Sequence, residues 1–345
     1  MVDKRVNVAI VGATGLVGSE LIEAMSYRGF PVSGLRLFAS PESAGESMEF
    51  QGEEFEVELL SSGFAEGMDL VFFAAPSLVG RDLASEAAEA GAVVIDSSGA
   101  FRGDPSVPLV VPDLNAEAMA GIWQGNRIVS SPSSQSVVLA LVLAALERTF
   151  HVKRVSATLA MGSTSGGRRC FEEHQYQTID VFNQNELKVE RFPRQSAFNI
   201  FPQAGEFEGG HSQAERELMD ELPRILGREL PVAVTAMQAP VFCGLAASLS
   251  VGFDKEVSAD KVRESLSGGE GLHVLDDPAN EVYPDTMEAL TREEVLVGRV
   301  RKDPTDPCGV LLWVSADNLR KGSSLNMLRI AELVLKVLEK AGGAV

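Results

Sequence analysis

Cysteine, positive charge, paired histidines and long apolar runs are all scarce along these 345 residues, and each shortage excludes something. Three cysteines, Cys170, Cys243 and Cys308, are odd in number and far apart, which excludes a disulfide framework and fits a reducing compartment. The longest apolar run, residues 137–146, is shorter than the roughly 20 residues a bilayer-spanning helix needs. His151, His174, His211 and His273 show no close pairing, so no dedicated metal site is expected. Lysine and arginine number 30 against 49 acids; the net charge of -19 argues against nucleic acid and against an anionic membrane as partner. Those acids are spread along the chain, as on a solvated surface. The first seven residues run straight into a strand pattern and leave no room for a signal peptide, so a cytoplasmic location is expected.

What is present is a globular composition, 45% hydrophobic and 23% charged, with a length that suits two domains. Residues 6–11 form a short, almost wholly apolar run, as in a buried parallel strand. Gly12-Ala13-Thr14-Gly15-Leu16-Val17-Gly18 follows, and then a helical pattern through Leu21, Ile22 and Met25. Strand, glycine turn and helix in this order predict a variant dinucleotide fingerprint, spaced Gly-x-x-Gly-x-x-Gly. Gly12 permits the tight turn, Gly15 lets a pyrophosphate approach the backbone, Thr14 to Val17 cradle it, and Gly18 allows close packing. A second strand, 35–39, ends at Ser40-Pro41-Glu42-Ser43, where a Rossmann unit meets the adenosine ribose. Glu42 favours NAD over NADP there if a dinucleotide binds; a solvated loop glutamate is the competing reading. Strands at 53–60, 69–73 and 92–96, a helix through Leu83, Ala87 and Ala90, and strands at 107–112 and 127–129 predict a doubly wound parallel sheet.

Beyond Phe150 the rhythm changes. Residues 152–160, 232–238, 245–253, 295–300 and 310–315 read as strands, with helices near 171–182, 213–226 and 259–266. Fewer helices between strands predict a mixed or antiparallel sheet covered on one face. The last segment, 323–338, is amphipathic through Leu325, Leu328, Ile330, Val334 and Leu338. Between the two patterns lies Ser130-Ser131-Pro132-Ser133-Ser134-Gln135-Ser136, a strand-to-helix junction where backbone donors and a helix dipole converge. Enzymes often place a nucleophile or an anion at such a point; here the side chains are hydroxyls.

The motifs together resemble the aspartate-semialdehyde dehydrogenase family. The glycine turn at 12–18, Asp96-Ser97-Ser98-Gly99-Ala100-Phe101-Arg102, residues 107–115, Ala197-Phe198-Asn199 and residues 315–322 are similar to that family's signatures, in order over nearly the whole chain. The resemblance implies an α/β fold in three parts. Residues 1–133 would form a Rossmann-like NAD(P) domain, 134–322 an α+β substrate and dimerisation domain, and 323–345 a helix returning to the first. It also implies a homodimer, Asn318 beside the nicotinamide and Arg102 on a substrate phosphate.

The catalytic positions depart from the family. Its nucleophilic cysteine falls on Ser134, its orienting glutamine on Leu159, its substrate-clamping arginine on Gln238, its acid/base histidine on Leu245, and its substrate-helix glutamate and lysine on Ala214 and Glu217. Pro76 lies near a loop that is glycine-rich in many relatives. A serine hydroxyl needs a strong base, and leucine neither takes nor gives a proton. Three readings stand: a non-catalytic paralogue kept for dinucleotide binding, assembly or regulation, its dinucleotide site filled or vestigial; an interaction subunit that pairs with an active relative through the second domain; or an oxidoreductase of altered chemistry on a semialdehyde or related carbonyl. The last draws on Cys243, which would share a strand face with Leu245. An inert buried cysteine is the plainer reading. Ser134 itself is expected to cap the helix that follows.

Overall fold

The computed structural model describes residues 5–122, 125 and 127–340. The chain divides into two compact units, residues 1–132 with 323–345, and residues 133–322.

In the first unit β1 (Val6–Val11) leads to α1 (Leu16–Tyr27), β2 (Val32–Ala39), β3 (Ser47–Phe50) and β4 (Glu53–Leu59). Then come β5 (Leu70–Phe73), α2 (Ser77–Glu89), β6 (Val93–Asp96), α3 (Pro112–Asn115) and β7 (Ile128–Ser130). The sheet order is β3-β4-β2-β1-β5-β6-β7, parallel except for the β3–β4 pair. Every residue of β5 and β6 is buried, because helices cover both faces. Val8, Ile10, Leu70 and Phe72 pack with α1 and the C-terminal helix Leu325–Lys340, while Ala9, Val11, Val71 and Phe73 pack on the side of Ala84 and Ala87 of α2. The period-two alternation thus feeds two cores.

One expected strand is absent. Residues 107–112 touch the sheet through a single bridge between Leu109 and Ser130. Pro108 and Pro112 cannot donate to a ladder, and Pro112 opens α3, so the segment stays extended without becoming a strand.

The second unit contains α4 (Ser134–Glu147), β8 (Val152–Met161), α5 (Arg168–Asn183), β9 (Phe207–Glu208) and β10 (His211–Ser212). It continues with α6 (Gln213–Leu226), β11 (Val232–Gln238), β12 (Leu245–Phe253), α7 (Ala259–Ser267), β13 (Leu272–Val274), β14 (Val295–Lys302) and β15 (Gly309–Ala316). Six strands form a mixed sheet in the order β11-β8-β12-β15-β14-β13. Val155, Ala157 and Leu159 of β8 are buried, while Ser156 and Thr158 between them are exposed, so one face is packed and the other open. Helix α4 is apolar on nearly every side; eleven of its fourteen residues are buried, and it packs against α6, α7 and β8. Among the described residues, no helix is long and apolar enough to cross a membrane.

Candidate active site

The cofactor end lies in the first unit, where the sheet order reverses. β1 pairs with β2 on one side and β5 on the other, and ligands of open α/β sheets bind at the carboxyl ends of strands at such a switch. Gly12 follows β1 with φ of 86°, and a Cβ there would stand 2.6 Å from the Ala74 carbonyl oxygen after β5. Both facts demand glycine. A Cβ on Gly18 would meet the Gly12 oxygen at 2.2 Å, so α1 sits hard against the turn. The Gly15 N–H returns to Gly12 at 3.0 Å, Gly15 precedes α1, and Leu16 and Val17 open its first turn. Thr14 to Val17 are all half-buried around this turn, at the helix N-terminus where backbone N–H groups can receive an anion. Glu42 and Ser43 stand in the turn after β2, with Glu42 exposed. Arg102 spends Nε on the Ser131 carbonyl (3.2 Å) and Nη2 on that of Ser97 (3.0 Å), which folds it back onto the chain.

The positions that the resemblance assigns to catalysis fall in the second unit, and strand register brings several of them together. Gln238 of β11 pairs with Met161 of β8, Met161 with Leu245 of β12, and Leu245 with Ala316 of β15. These four form one row across the sheet. Leu159 lies two residues back along β8, opposite Ala236 and Ala247. Gln238 and Leu245 are therefore two strand spacings apart, about 10 Å. Leu159 and Leu245 are wholly enclosed, and Gln238 is 3% exposed, with Nε2 donating to the Ala239 carbonyl at 3.0 Å. Asn318 follows Ala316 by two residues. Its Oδ1 accepts from the Gly244 N–H (2.9 Å) and the Thr164 hydroxyl (3.0 Å), which locks the amide beside Leu245. Gly322 then passes over α4: a Cβ there would stand 2.6 Å from Ser134 Cβ.

Two expectations need correction. The cap of α4 is Ser133, and Ser134 is the first residue of the helix. The reason is Glu221 on α6, whose Oε2 accepts from the Ser133 N–H (2.8 Å) and hydroxyl (2.7 Å) and so holds Ser133 outside the helix. Ser134 Oγ makes only a long contact, 3.3 Å, to Gln135 Oε1; the Gln135 amide is turned by its bond to Glu217 Oε2 at 2.9 Å. Ala214, at the other substrate-helix position, is buried. Cys243 does not share a strand face with Leu245, because β12 begins at Leu245 and Gly244 turns the chain at φ of 90°. Burial pushes its thiol above the ordinary range, and the Asp317 carboxylate adds to the shift. It is a thiol, not a thiolate, at neutral pH.

Sequence reasoning missed Glu221 and assigned no role to Asp96. Asp96 ends β6 fully buried; Oδ1 accepts from the Ser98 N–H (3.1 Å) and hydroxyl (2.5 Å), and Oδ2 has no hydrogen-bond partner among the described residues. Burial pushes this carboxyl above its usual range, outweighing the Ser98 bonds and the Arg102 charge. Between an unfolded value of about 3.9 and the raised native one, the folded state holds a proton the unfolded chain has released, so stability falls as pH rises through that window. Asp96→Asn is expected to be more stable than wild type at pH 7, with the gain vanishing below about pH 4. Urea midpoints at the two pH values check this; an equal loss at both would contradict it. A separate cleft of about 540 Å³ between Phe150, Phe253 and the start of α7 is lined by His151 but by none of the cofactor or catalytic positions expected from the sequence.

A Rossmann-like unit with a glycine turn, joined in sequence to an α+β unit with a junction helix, defines the class: a two-domain scaffold of the dinucleotide-binding α/β type. Residues 7–122 match the family model for the semialdehyde dehydrogenase NAD binding domain, and residues 143–321 that for the semialdehyde dehydrogenase dimerisation domain. The chain belongs to the aspartate-semialdehyde dehydrogenase family. It is 36% identical over 333 residues to the aspartate-semialdehyde dehydrogenase of Aquifex aeolicus, covering 95% of this chain and 98% of that one. It is 37% identical over 334 residues to a USG-1 protein homolog of Azotobacter vinelandii, covering 96% and 98%. The crystal structure of aspartate semialdehyde dehydrogenase II from Vibrio cholerae complexed with ASA superposes with a TM-score of 0.93 at 32% identity, over 97% of this chain and 99% of that one.

Proposed function

We propose that this chain keeps the scaffold and dinucleotide crevice of its family, has lost the family's reaction, and serves as a homodimeric dinucleotide-binding or interaction paralogue. The observation that carries this reading is the row Gln238–Met161–Leu245, which brings two of the family's catalytic positions together without a base or a cation. Ser134 stands at a helix N-terminus, where a thiol would ionise but a hydroxyl would not. Gln238 cannot make the charged fork that arginine makes with a carboxylate. Glu217, held toward α4 by Gln135 and Gln213, presents a negative charge where the family offers lysine to an anion.

The crevice of the first unit supports dinucleotide binding, and Glu42 favours NAD because its carboxylate accepts from ribose hydroxyls and repels a 2′-phosphate. The test is a pair of measurements on the full chain. Aspartate semialdehyde with NADP and phosphate is expected to turn over at least about ten-thousandfold more slowly than in active relatives. Calorimetry is expected to show NAD binding at least about tenfold tighter than NADP, or about 1.4 kcal/mol. Turnover like that of relatives would overturn the loss of reaction, and tighter NADP binding would overturn the cofactor assignment.

A further inference from the structure

Neither the dinucleotide crevice nor the row of family positions accounts for the cleft at Phe150 and Phe253. It lies wholly in the second unit, where the connection from α4 to β8 meets the connection from β12 to α7. Leu245 and Phe253 are the two ends of β12, and eight steps along a strand put about 27 Å between them. The cleft is therefore at the end of the sheet away from the Gln238–Met161–Leu245 row. Its volume of about 540 Å³ falls within the range of about 300–1,000 Å³ usual for small-molecule sites.

Its walls are tied in place. Glu147 Oε2 accepts from the Val152 N–H (2.9 Å) and from Arg228 Nη2 (2.8 Å), which closes the turn through Phe150 and His151. Thr149 Oγ1 meets Ser265 Oγ of α7 at 3.0 Å, and Ser265 Oγ donates to the Ala145 carbonyl of α4 at 2.7 Å. Phe253 is 3% exposed, and the half-buried Phe150 ring meets it edge-on with centroids 5.4 Å apart. A flat ring entering the cleft finds an aromatic wall already formed.

The charges left unpaired there are positive, in a chain whose net charge is -19. Of the two acids that line the cleft, Glu256 is held by Lys302 Nζ at 2.5 Å, and Asp254 Oδ2 lies 3.7 Å from His151 Nε2. Asp260, next to Lys261, is taken by Arg263 Nη1 at 2.6 Å. Lys255 and Lys261 line the cleft, stand exposed and make no ion pair among the described residues. Ser258, also on the wall, caps α7 by accepting from the Lys261 N–H at 3.3 Å, so the positive end of that helix adds to the two lysines.

We propose that this cleft binds a small molecule in which a flat aromatic ring carries one acid group, carboxylate or phosphate. The ring packs on Phe150 and Phe253, and the acid group sits among Lys255, Lys261 and the start of α7. A bare anion would leave the aromatic wall in water, and a cationic ring would meet the lysines as like charges.

Fluorescence titration of the full chain with 1-naphthoate, 1-naphthyl phosphate and 1-naphthylmethylamine tests this proposal, which does not depend on dinucleotide binding or turnover. At least one of the two acids is expected to bind with Kd of about 1 mM or tighter, and the amine at least about tenfold more weakly. The tighter of the two acids tells whether the cleft takes a carboxylate or a phosphate. Lys255→Glu/Lys261→Glu changes only exposed side chains, so the urea midpoint should stay near that of wild type while acid binding weakens at least about tenfold. Phe150→Ala is expected to weaken it about fivefold or more, with the amine unaffected by the lysine changes in the same direction. Absence of saturable binding by either acid below about 10 mM would overturn the proposal. So would an amine that binds wild type as tightly as the acids, or a folded double lysine variant that binds both acids as well as wild type does.

Discussion

Replacing Ser134 by cysteine is expected to leave the protein without aspartate-semialdehyde dehydrogenase turnover, although it supplies the atom that the family's reaction begins on. The new thiol would sit at the first position of α4, where the helix dipole and free backbone N–H groups favour a thiolate, so it should alkylate quickly at neutral pH. Reactivity toward iodoacetamide and catalytic turnover should therefore separate in this variant. Hydride transfer from a thiohemiacetal needs a group to take the thiohemiacetal proton, and the family position for that group is Leu245, 1% exposed and without a titratable atom. Placing the substrate needs a cation, and Gln238 has none. Losing an acid/base group costs about a hundred- to ten-thousandfold, and groups that act as a unit do not recover singly. The variant Ser134→Cys/Gln238→Arg/Leu245→His is the smallest in which measurable turnover is expected. Rates in Ser134→Cys alone within about a hundredfold of active relatives would show that the row on the sheet is not what stops the reaction.

Glu221→Ala is expected to destabilise the second unit by about 3 kcal/mol, among the largest losses for a residue outside the apolar core. The carboxylate is 2% exposed, and one oxygen holds both the N–H and the hydroxyl of the α4 cap. Two hydrogen bonds to a single buried oxygen at the start of α4 are therefore lost together. Truncation leaves the Ser133 N–H buried without its acceptor and a cavity beside a helix whose residues are almost all buried. Glu221→Gln keeps the shape and one acceptor and should cost about half as much. Urea denaturation at pH 7 measures both; an alanine variant within about 1 kcal/mol of wild type would mean that the cap is held by other means.

The doubly wound unit was legible because its signals are local. Val6–Val11 is a continuous apolar run, Gly12, Gly15 and Gly18 follow at fixed spacing, and the helix pattern begins at once. Each of these features acts through neighbours in the chain, and the structure places the glycines where Cβ atoms would collide. The failures each have a backbone cause. Residues 107–112 had the hydrophobicity of a strand, but two prolines left too few donors for a ladder. Cys243 had strand-like neighbours, but a left-handed glycine intervened.

The sequence by itself determined the alternation of strands and helices, the glycine cradle, the buried junction helix and the residue types at the family's catalytic positions, because periodicity, propensity and side-chain chemistry are written residue by residue. Tertiary structure alone decided which of the junction serines caps α4, since Glu221 lies 88 residues from Ser133 in sequence. It also decided that Gln238 and Leu245 share one row through Met161. Register between distant strands and the reach of a buried side chain depend on how separate elements pack, and no local pattern encodes either one.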